Sequence, residues 1–144
     1  MSKILVFTEF QNNKLKRSSQ ELLQFASKQN LPVIALALGT AAGQVKNELA
    51  HNGATEVLLN VSADFDQYNP EFFTSVVAEQ IEKSGASVVL ASATSLAKDL
   101  FPRVAAKLDA GLISDGTEIS IENNMVSVKK PMYSGKCFSQ GQFE

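Results

Sequence analysis

Cysteine is all but missing from this sequence, with Cys137 the only one in 144 residues. No disulfide can form within the chain, and no Cys/His set can supply the four ligands of a structural zinc site. A reducing compartment fits that scarcity, and the cytoplasm is the expected location. An excess of positive charge is also lacking: 13 Lys and Arg stand against 15 Asp and Glu. No basic field is therefore available to neutralise a row of nucleic-acid phosphates. No apolar run approaches the ~18 residues needed to cross a bilayer, so membrane insertion is not expected. At the amino terminus Ile4 to Phe7 is cut short by Thr8 and Glu9, too soon for a signal peptide, and no Arg-rich amphipathic presequence precedes it.

Glycine is missing from one place where it would matter. A dinucleotide-binding fold or a phosphate-binding loop needs glycines where its first strand meets its first helix, because the backbone must approach pyrophosphate closely. Here that junction reads Thr8-Glu9-Phe10-Gln11-Asn12-Asn13, which argues against both. Histidine is represented by His51 alone. It falls near the end of an expected helix, where the partial negative charge of the helix terminus suits an imidazolium better than a general base.

What the sequence does contain is the material for one domain. Its length allows about 68–70% of the unfolded surface to be buried, and 44% hydrophobic with 19% charged residues is a globular balance. Ile4 to Phe7, Val33 to Leu38, Val57 to Val61 and Val88 to Ala91 are continuous apolar runs without alternation. They are expected to be strands covered on both faces of a parallel sheet.

Helical patterns fill the intervals. Ser18 and Glu21 form a possible capping box ahead of Leu22, Leu23, Phe25 and Ala26, in a helix ending near Asn30 before Pro32. Thr40 is expected to cap a second helix carrying Ala41, Val45 and Leu49 and stopped by Gly53. Asn69-Pro70 opens a third, with Phe73, Val76, Val77 and Ile81 inward and Ser84-Gly85 at its end. Leu96, Leu100, Val104 and Leu108 recur at helical spacing around Pro102. Because an interior proline costs ~3 kcal/mol, two short helices broken near Asp99 are expected. From Thr117 alternation takes over: Ile119 and Ile121, the turn Asn123-Asn124, then Met125 or Val126 and Val128 form a hairpin pattern, and Tyr133 to Phe138 reads as another strand. The order implies an α/β fold: a three-layer α/β/α sandwich with a mostly parallel central sheet and antiparallel strands at the carboxyl end. The sequence stops at Gln142-Phe143-Glu144, in or just after a possible strand, as expected of a boundary inside a longer protein.

Candidate chemistry is sparse. Thr94 and Ser95 follow the fourth strand, with Lys98 and Arg103 downstream, a set of hydroxyls, helix-start amides and cations able to converge on a phosphate. The simpler alternative is a helix cap with solvated charges. Glu9, Asp64, Asp66, Asp99 and Asp115 are scattered, with no two paired by spacing for acid/base work. Cys137 reads as a small core residue. No catalytic, cofactor-binding or metal-ligating residue is therefore assigned.

Leu100-Phe101-Pro102-Arg103-Val104-Ala105-Ala106-Lys107-Leu108-Asp109, continued by Gly111-Leu112-Ile113-Ser114-Asp115, resembles a segment of electron transfer flavoprotein alpha subunits. Ala91-Ser92-Ala93-Thr94-Ser95 with Lys98-Asp99, and Lys3 to Glu9, are similar to that family's small-residue turn and opening strand. Met132-Tyr133-Ser134-Gly135-Lys136 resembles a family Tyr-Ala-Gly-Asn stretch, with Ser134 and Lys136 as departures. The resemblance covers nearly the whole chain. It implies an adenine nucleotide alpha hydrolase-like fold in which 1–144 is the amino-terminal domain, with the FAD-binding domain absent from the chain. It further implies a heterodimer with a beta subunit that carries electrons, as in fatty acid β-oxidation, from acyl-CoA and other dehydrogenases to a quinone oxidoreductase. FAD would then be bound elsewhere in the full-length heterodimer and none by this chain. Two alternatives remain: a universal-stress-like adenine nucleotide-binding module, and an enzyme using Thr94, Ser95, Lys98 and Arg103 on a phosphorylated substrate.

Overall fold

A computed structural model describes residues 3–29, 31–86, 88–92 and 94–108, and the backbone of strands 113–116, 119–122, 125–128 and 135–139. Strand β1 (Ile4–Phe7) leads through a two-stranded hairpin, β2 (Phe10–Gln11) and β3 (Lys14–Leu15), into helix α1 (Arg17–Ser27). Strand β4 (Val33–Leu38) is followed by a 3-10 turn (Thr40–Gln44), helix α2 (Lys46–His51) and strand β5 (Glu56–Asn60). A second 3-10 turn (Ala63–Phe65) precedes helix α3 (Pro70–Ser84), strand β6 (Val88–Ser92) and helix α4 (Ser95–Leu108). Strands β7 (Ile113–Gly116), β8 (Ile119–Glu122), β9 (Met125–Val128) and β10 (Gly135–Ser139) complete the described chain.

The main sheet runs β5-β4-β1-β6-β10-β7. Its first four strands are parallel, with Ile4 opposite Val33 on one side and Val88 on the other. β10 joins β6 antiparallel, and β7 pairs with β10. The β8–β9 hairpin aligns Ile119 with Val128, as the alternation predicts.

Period-two side-chain alternation explains why the apolar runs are continuous. Ile4, Val6, Val33, Ala35, Val88 and Leu90 enter one core with Leu22, Leu23 and Ala26 of α1 and Leu49 of α2. Leu5, Phe7, Ile34, Leu36, Val89 and Ala91 enter the other with Phe73, Val77 and Ile81 of α3 and Leu100, Phe101 and Val104 of α4. The expected three-layer sandwich is thus observed. β5 departs from expectation: Glu56 is exposed and the rest of the strand only half-buried. As an edge strand, it has a neighbour on one side alone.

Three local expectations are corrected. Ser18 caps nothing, because the helix starts at Arg17 with Lys16 at the cap position and no side-chain cap bond; Glu21 pairs with Arg17 instead. The segment from Thr40 to His51 is a 3-10 turn and a short helix rather than one helix, and Thr40 is bonded to Asp66. Helix α4 runs unbroken through Pro102. Ala97, Leu100, Phe101 and Val104 are essentially fully buried on one side of it, and large apolar side chains contribute ~1.5–3 kcal/mol each on burial, enough together to outweigh a proline whose ring lies on the exposed side.

Two terminators behave as expected. Asn69 Oδ1 accepts the N–H bonds of Glu71 and Phe72 ahead of Pro70, and Gly85 closes α3 at φ 75°. Gly53 has φ 118°, and a Cβ there would stand 2.6 Å from that of Ser27, so glycine meets both a backbone and a packing demand. Urea unfolding should separate the two effects in α4. Phe101→Ala should lower stability by about 3–5 kcal/mol, whereas Pro102→Ala should raise it by up to ~3 kcal/mol. A lower midpoint for Pro102→Ala would show that the ring contributes to the fold.

Candidate functional site

In the order β5-β4-β1-β6, successive connections leave β1 in one direction and return on its other side, so the topological switch lies between β1 and β6. Open α/β sheets bind ligands outside the carboxyl ends of their strands at that point. Here the chain fills it. Glu9, two residues beyond β1, accepts a bond from the Thr94 hydroxyl, two residues beyond β6, with Thr94 Oγ1 2.5 Å from Glu9 Oε2. The other carboxylate oxygen lies 3.6 Å from Lys16 Nζ, and the Glu9 side chain is only 11% exposed.

Several elements hold that carboxylate in place. Thr8 prolongs β1 by bonding Leu36 O through both its N–H and its hydroxyl. Ser19, buried in the first turn of α1, accepts the Glu9 N–H at 2.9 Å. Lys16 is carried back over Glu9 by the β2–β3 hairpin, whose turn residues Asn12 and Asn13 have φ 54° and 60°. Positive φ at both central positions is the pattern of a type I′ turn. Lack of glycine at this junction does not reveal the hairpin; the signal in the sequence is the two-residue Asn12-Asn13 turn between short extended pairs.

Thr94 also accepts the Ala97 N–H at 3.1 Å, so it caps α4 as well as bridging the strands. The residues expected around a phosphate are thus separated by their own partners: Thr94 faces a carboxylate, and Arg103 pairs with Asp99, Nε to Oδ2 at 3.3 Å. Ser95 and Lys98 lie on the exposed side of α4. His51 is exposed in the last turn of α2. Cys137 and Asp115 lie on β10 and β7, where the side chains are outside the described residues. Among the described residues no group of three His, Cys, Asp or Glu is placed to hold a metal, and no helix is long and apolar enough to cross a membrane.

A cleft of about 330 Å³ adjoins the crevice at the carboxyl ends of β1 and β4, lined by Phe7, Glu9, Phe10, Phe65, Asp66 and Tyr68 among others. Asp66 accepts the Thr40 N–H at 2.7 Å and also the Thr40 hydroxyl. Tyr68 donates to Asp99 at 2.5 Å and stacks edge-on with Phe73, which meets Phe65 likewise. Burial and the bond to Asp99 push the Tyr68 hydroxyl well above its ordinary pKa of 10.0. The Tyr68 bond, followed by that from Arg103, holds Asp99 below its ordinary value. A dinucleotide pyrophosphate does not fit this arrangement: the crevice already holds a carboxylate, and the loop offers no glycine turn.

Doubly wound topology with an internally filled switch point therefore defines an α/β domain with a mostly parallel central sheet flanked by helices. The family model described as "Electron transfer flavoprotein domain" matches residues 4–142, and the chain belongs to the electron transfer flavoprotein family. Protein FixB of Clostridium saccharobutylicum is 32% identical over 138 residues, covering 92% of this chain and 41% of that protein. The electron transfer flavoprotein subunit alpha of Bacillus subtilis (strain 168) is 30% identical over 142 residues, covering 96% and 43%. The acryloyl-CoA reductase electron transfer subunit beta of Anaerotignum propionicum is 28% identical over 125 residues, covering 84% and 34%. The chain thus spans about two-fifths of the length of the relatives it matches.

Replacing Glu9 with Ala should cost about 1–3 kcal/mol by leaving the Thr94 hydroxyl without its acceptor, and Glu9→Gln should cost less; equal unfolding midpoints for all three proteins would refute that role. For the Tyr68–Asp99 pair the pH signs follow from linkage. The Tyr68 contribution is present below pH 10 and lost as pH rises through its raised folded pKa. That of Asp99 is present above about its ordinary value of 3.8 and lost as pH falls through its lowered one. In a Tyr133→Phe background, tyrosinate absorbance should appear only above pH 10, and Asp99→Asn should bring it downward.

Proposed function

We propose that this chain is the scaffold and subunit-interface domain of an electron transfer flavoprotein alpha subunit, corresponding to the amino-terminal domain, with FAD carried by a separate carboxyl-terminal domain of the full-length protein. Its partner is the electron transfer flavoprotein beta subunit. The assembled heterodimer takes electrons from acyl-CoA and other dehydrogenases and passes them to a quinone oxidoreductase, with this domain supplying no catalytic residue. A cytoplasmic setting fits the single, unpaired-in-sequence cysteine.

One observation carries the proposal: the Glu9–Thr94 bond occupies the switch-point crevice with the chain's own carboxylate. A phosphate brought there would meet like charge and a capped helix start rather than free amides. The family match over 4–142 and the similarity to the Bacillus subtilis alpha subunit support the same reading. They also weigh against a universal-stress-like nucleotide module, as does the absence of a glycine turn.

Size-exclusion chromatography tests the assignment. Co-expressed with an electron transfer flavoprotein beta subunit and an alpha carboxyl-terminal domain, the chain should elute in one yellow complex. Purified alone it should be colourless and show no micromolar binding of AMP or ATP by calorimetry. Stoichiometric flavin on the isolated chain would contradict the proposal, and micromolar nucleotide binding would favour the nucleotide module.

A further inference from the structure

Asn52 is the one asparagine of this sequence that is followed by glycine. An asparagine in that setting is chemically labile: the next backbone nitrogen can close a five-membered ring on the side-chain amide, and a following residue without Cβ does not obstruct it. Here the fold itself imposes the pair. Residue 53 must be glycine, because its φ is 118° and a Cβ would stand 2.6 Å from that of Ser27. Residue 52 is the C-cap of α2, and its side-chain amide ties α2 to α1.

Three features of the native structure hold that reaction back. Asn52 Nδ2 donates to Glu48 O at 2.7 Å and Asn52 Oδ1 accepts from Gln24 Nε2 at 2.8 Å, so the amide is clamped at both ends. A ψ of 3° at Asn52 eclipses the Gly53 nitrogen with that of Asn52 and turns it away from the side chain, far from the geometry of attack. The Gly53 N–H is bonded to Ala50 O at 3.1 Å, which shields from base the proton that must leave. The clamp is nonetheless shallow. Leu49 is the only buried residue of the six in α2, and Gln24 is exposed. The end of a short helix held in this way opens locally at a much lower cost than the whole domain.

We propose that Asn52 is a deamidation site gated by the Gln24–Asn52 bond between α1 and α2. When the end of α2 opens, the Gly53 nitrogen bonds to Asn52 Cγ and the Cγ–Nδ2 bond breaks. Nδ2 leaves as ammonia, which takes up the equivalent of the Gly53 amide proton. Water then opens the succinimide at either carbonyl to give aspartate or isoaspartate, with no oxidant or reductant required. The product places a new carboxylate at the carboxyl end of α2, where the helix already carries partial negative charge, and it has lost the donor to Glu48 O. Isoaspartate also adds a carbon to the main chain, which displaces the Gly53–Ala50 and Ala54–Leu49 bonds that turn the chain toward β5. The gate therefore protects the entry to the edge strand.

Peptide mass spectrometry after incubation of the purified protein at mildly alkaline pH tests the gate, with the urea-unfolded chain giving the ungated rate. Native wild type should convert Asn52 at least roughly tenfold more slowly than the unfolded chain. Gln24→Ala should speed native conversion roughly two- to tenfold, the effect of one lost hydrogen bond on opening, and leave the rate in urea unchanged. Gln20→Ala loses a bond to Leu15 O on the same helix but none to Asn52, and should convert at the wild-type rate. Conversion of the native protein as fast as the unfolded chain overturns the proposal. So do equal native rates for Gln24→Ala and wild type, or the same acceleration by Gln20→Ala. The isoaspartate form, separated by chromatography, should melt below the unmodified protein; an equal midpoint would overturn the protective role of the gate.

Discussion

β1, β4 and β6 have no polar face, and that constraint organises the molecule. Their side chains are buried on both sides of the sheet, so the sheet is stable only with helices packed over each face. α1 and α2 cover one face, α3 and α4 the other. The same demand explains why α4 accepts Pro102. The apolar side of that helix closes the second core over Leu5, Phe7, Val89 and Ala91, and breaking it near Asp99 would uncover them. The Phe7–Phe101 edge-to-face contact at 5.4 Å places the residue just before the proline at the centre of that packing.

A doubly wound sheet creates a crevice wherever its winding reverses, and what fills the crevice decides what the domain can do. In this protein the start of α4 offers partial positive charge at that point, as every helix start does. Glu9 supplies the compensating anion from within the chain, through the Thr94 hydroxyl that also caps the helix. Lys16, returned by the β2–β3 hairpin, balances the carboxylate. An internal anion thus stands where a nucleotide-binding relative of the fold would place phosphate. The fold is retained while the electrostatic reason for binding there is already satisfied.

The sequence made legible those features whose causes are local or periodic. Asn69-Pro70 and Gly85 bound α3 because a cap, a preset φ and a left-handed residue act within a few positions. The four parallel strands were visible because burial on both faces removes alternation. Features settled by distant partners were not visible. Thr40 had the chemistry of a helix cap, yet Asp66, 26 positions later, takes its hydroxyl. Ser18 and Glu21 had capping-box spacing, but the chain enters α1 at Arg17, and Ser19 is the serine drawn inward, toward Glu9. Glu9 itself looked like one scattered carboxylate, since its partner lies 85 residues away. Only the topology that sets β1 beside β6 brings them together.

The surface around the filled crevice is itself tied down. Loop residues 63–69 could have been the mobile rim of a ligand site. They are instead held on several sides: Asp64 N–H bonds the Ser62 hydroxyl, Asp66 binds Thr40, and Tyr68 packs on Phe73 while bonding Asp99. Arg103 extends that last connection along α4. The bonds made by Asp99 are exposed and individually weak, but they tie the entry to α3 to the helix beside it, and the aromatic cluster beneath them resists separation. A rim built this way is part of the packed fold.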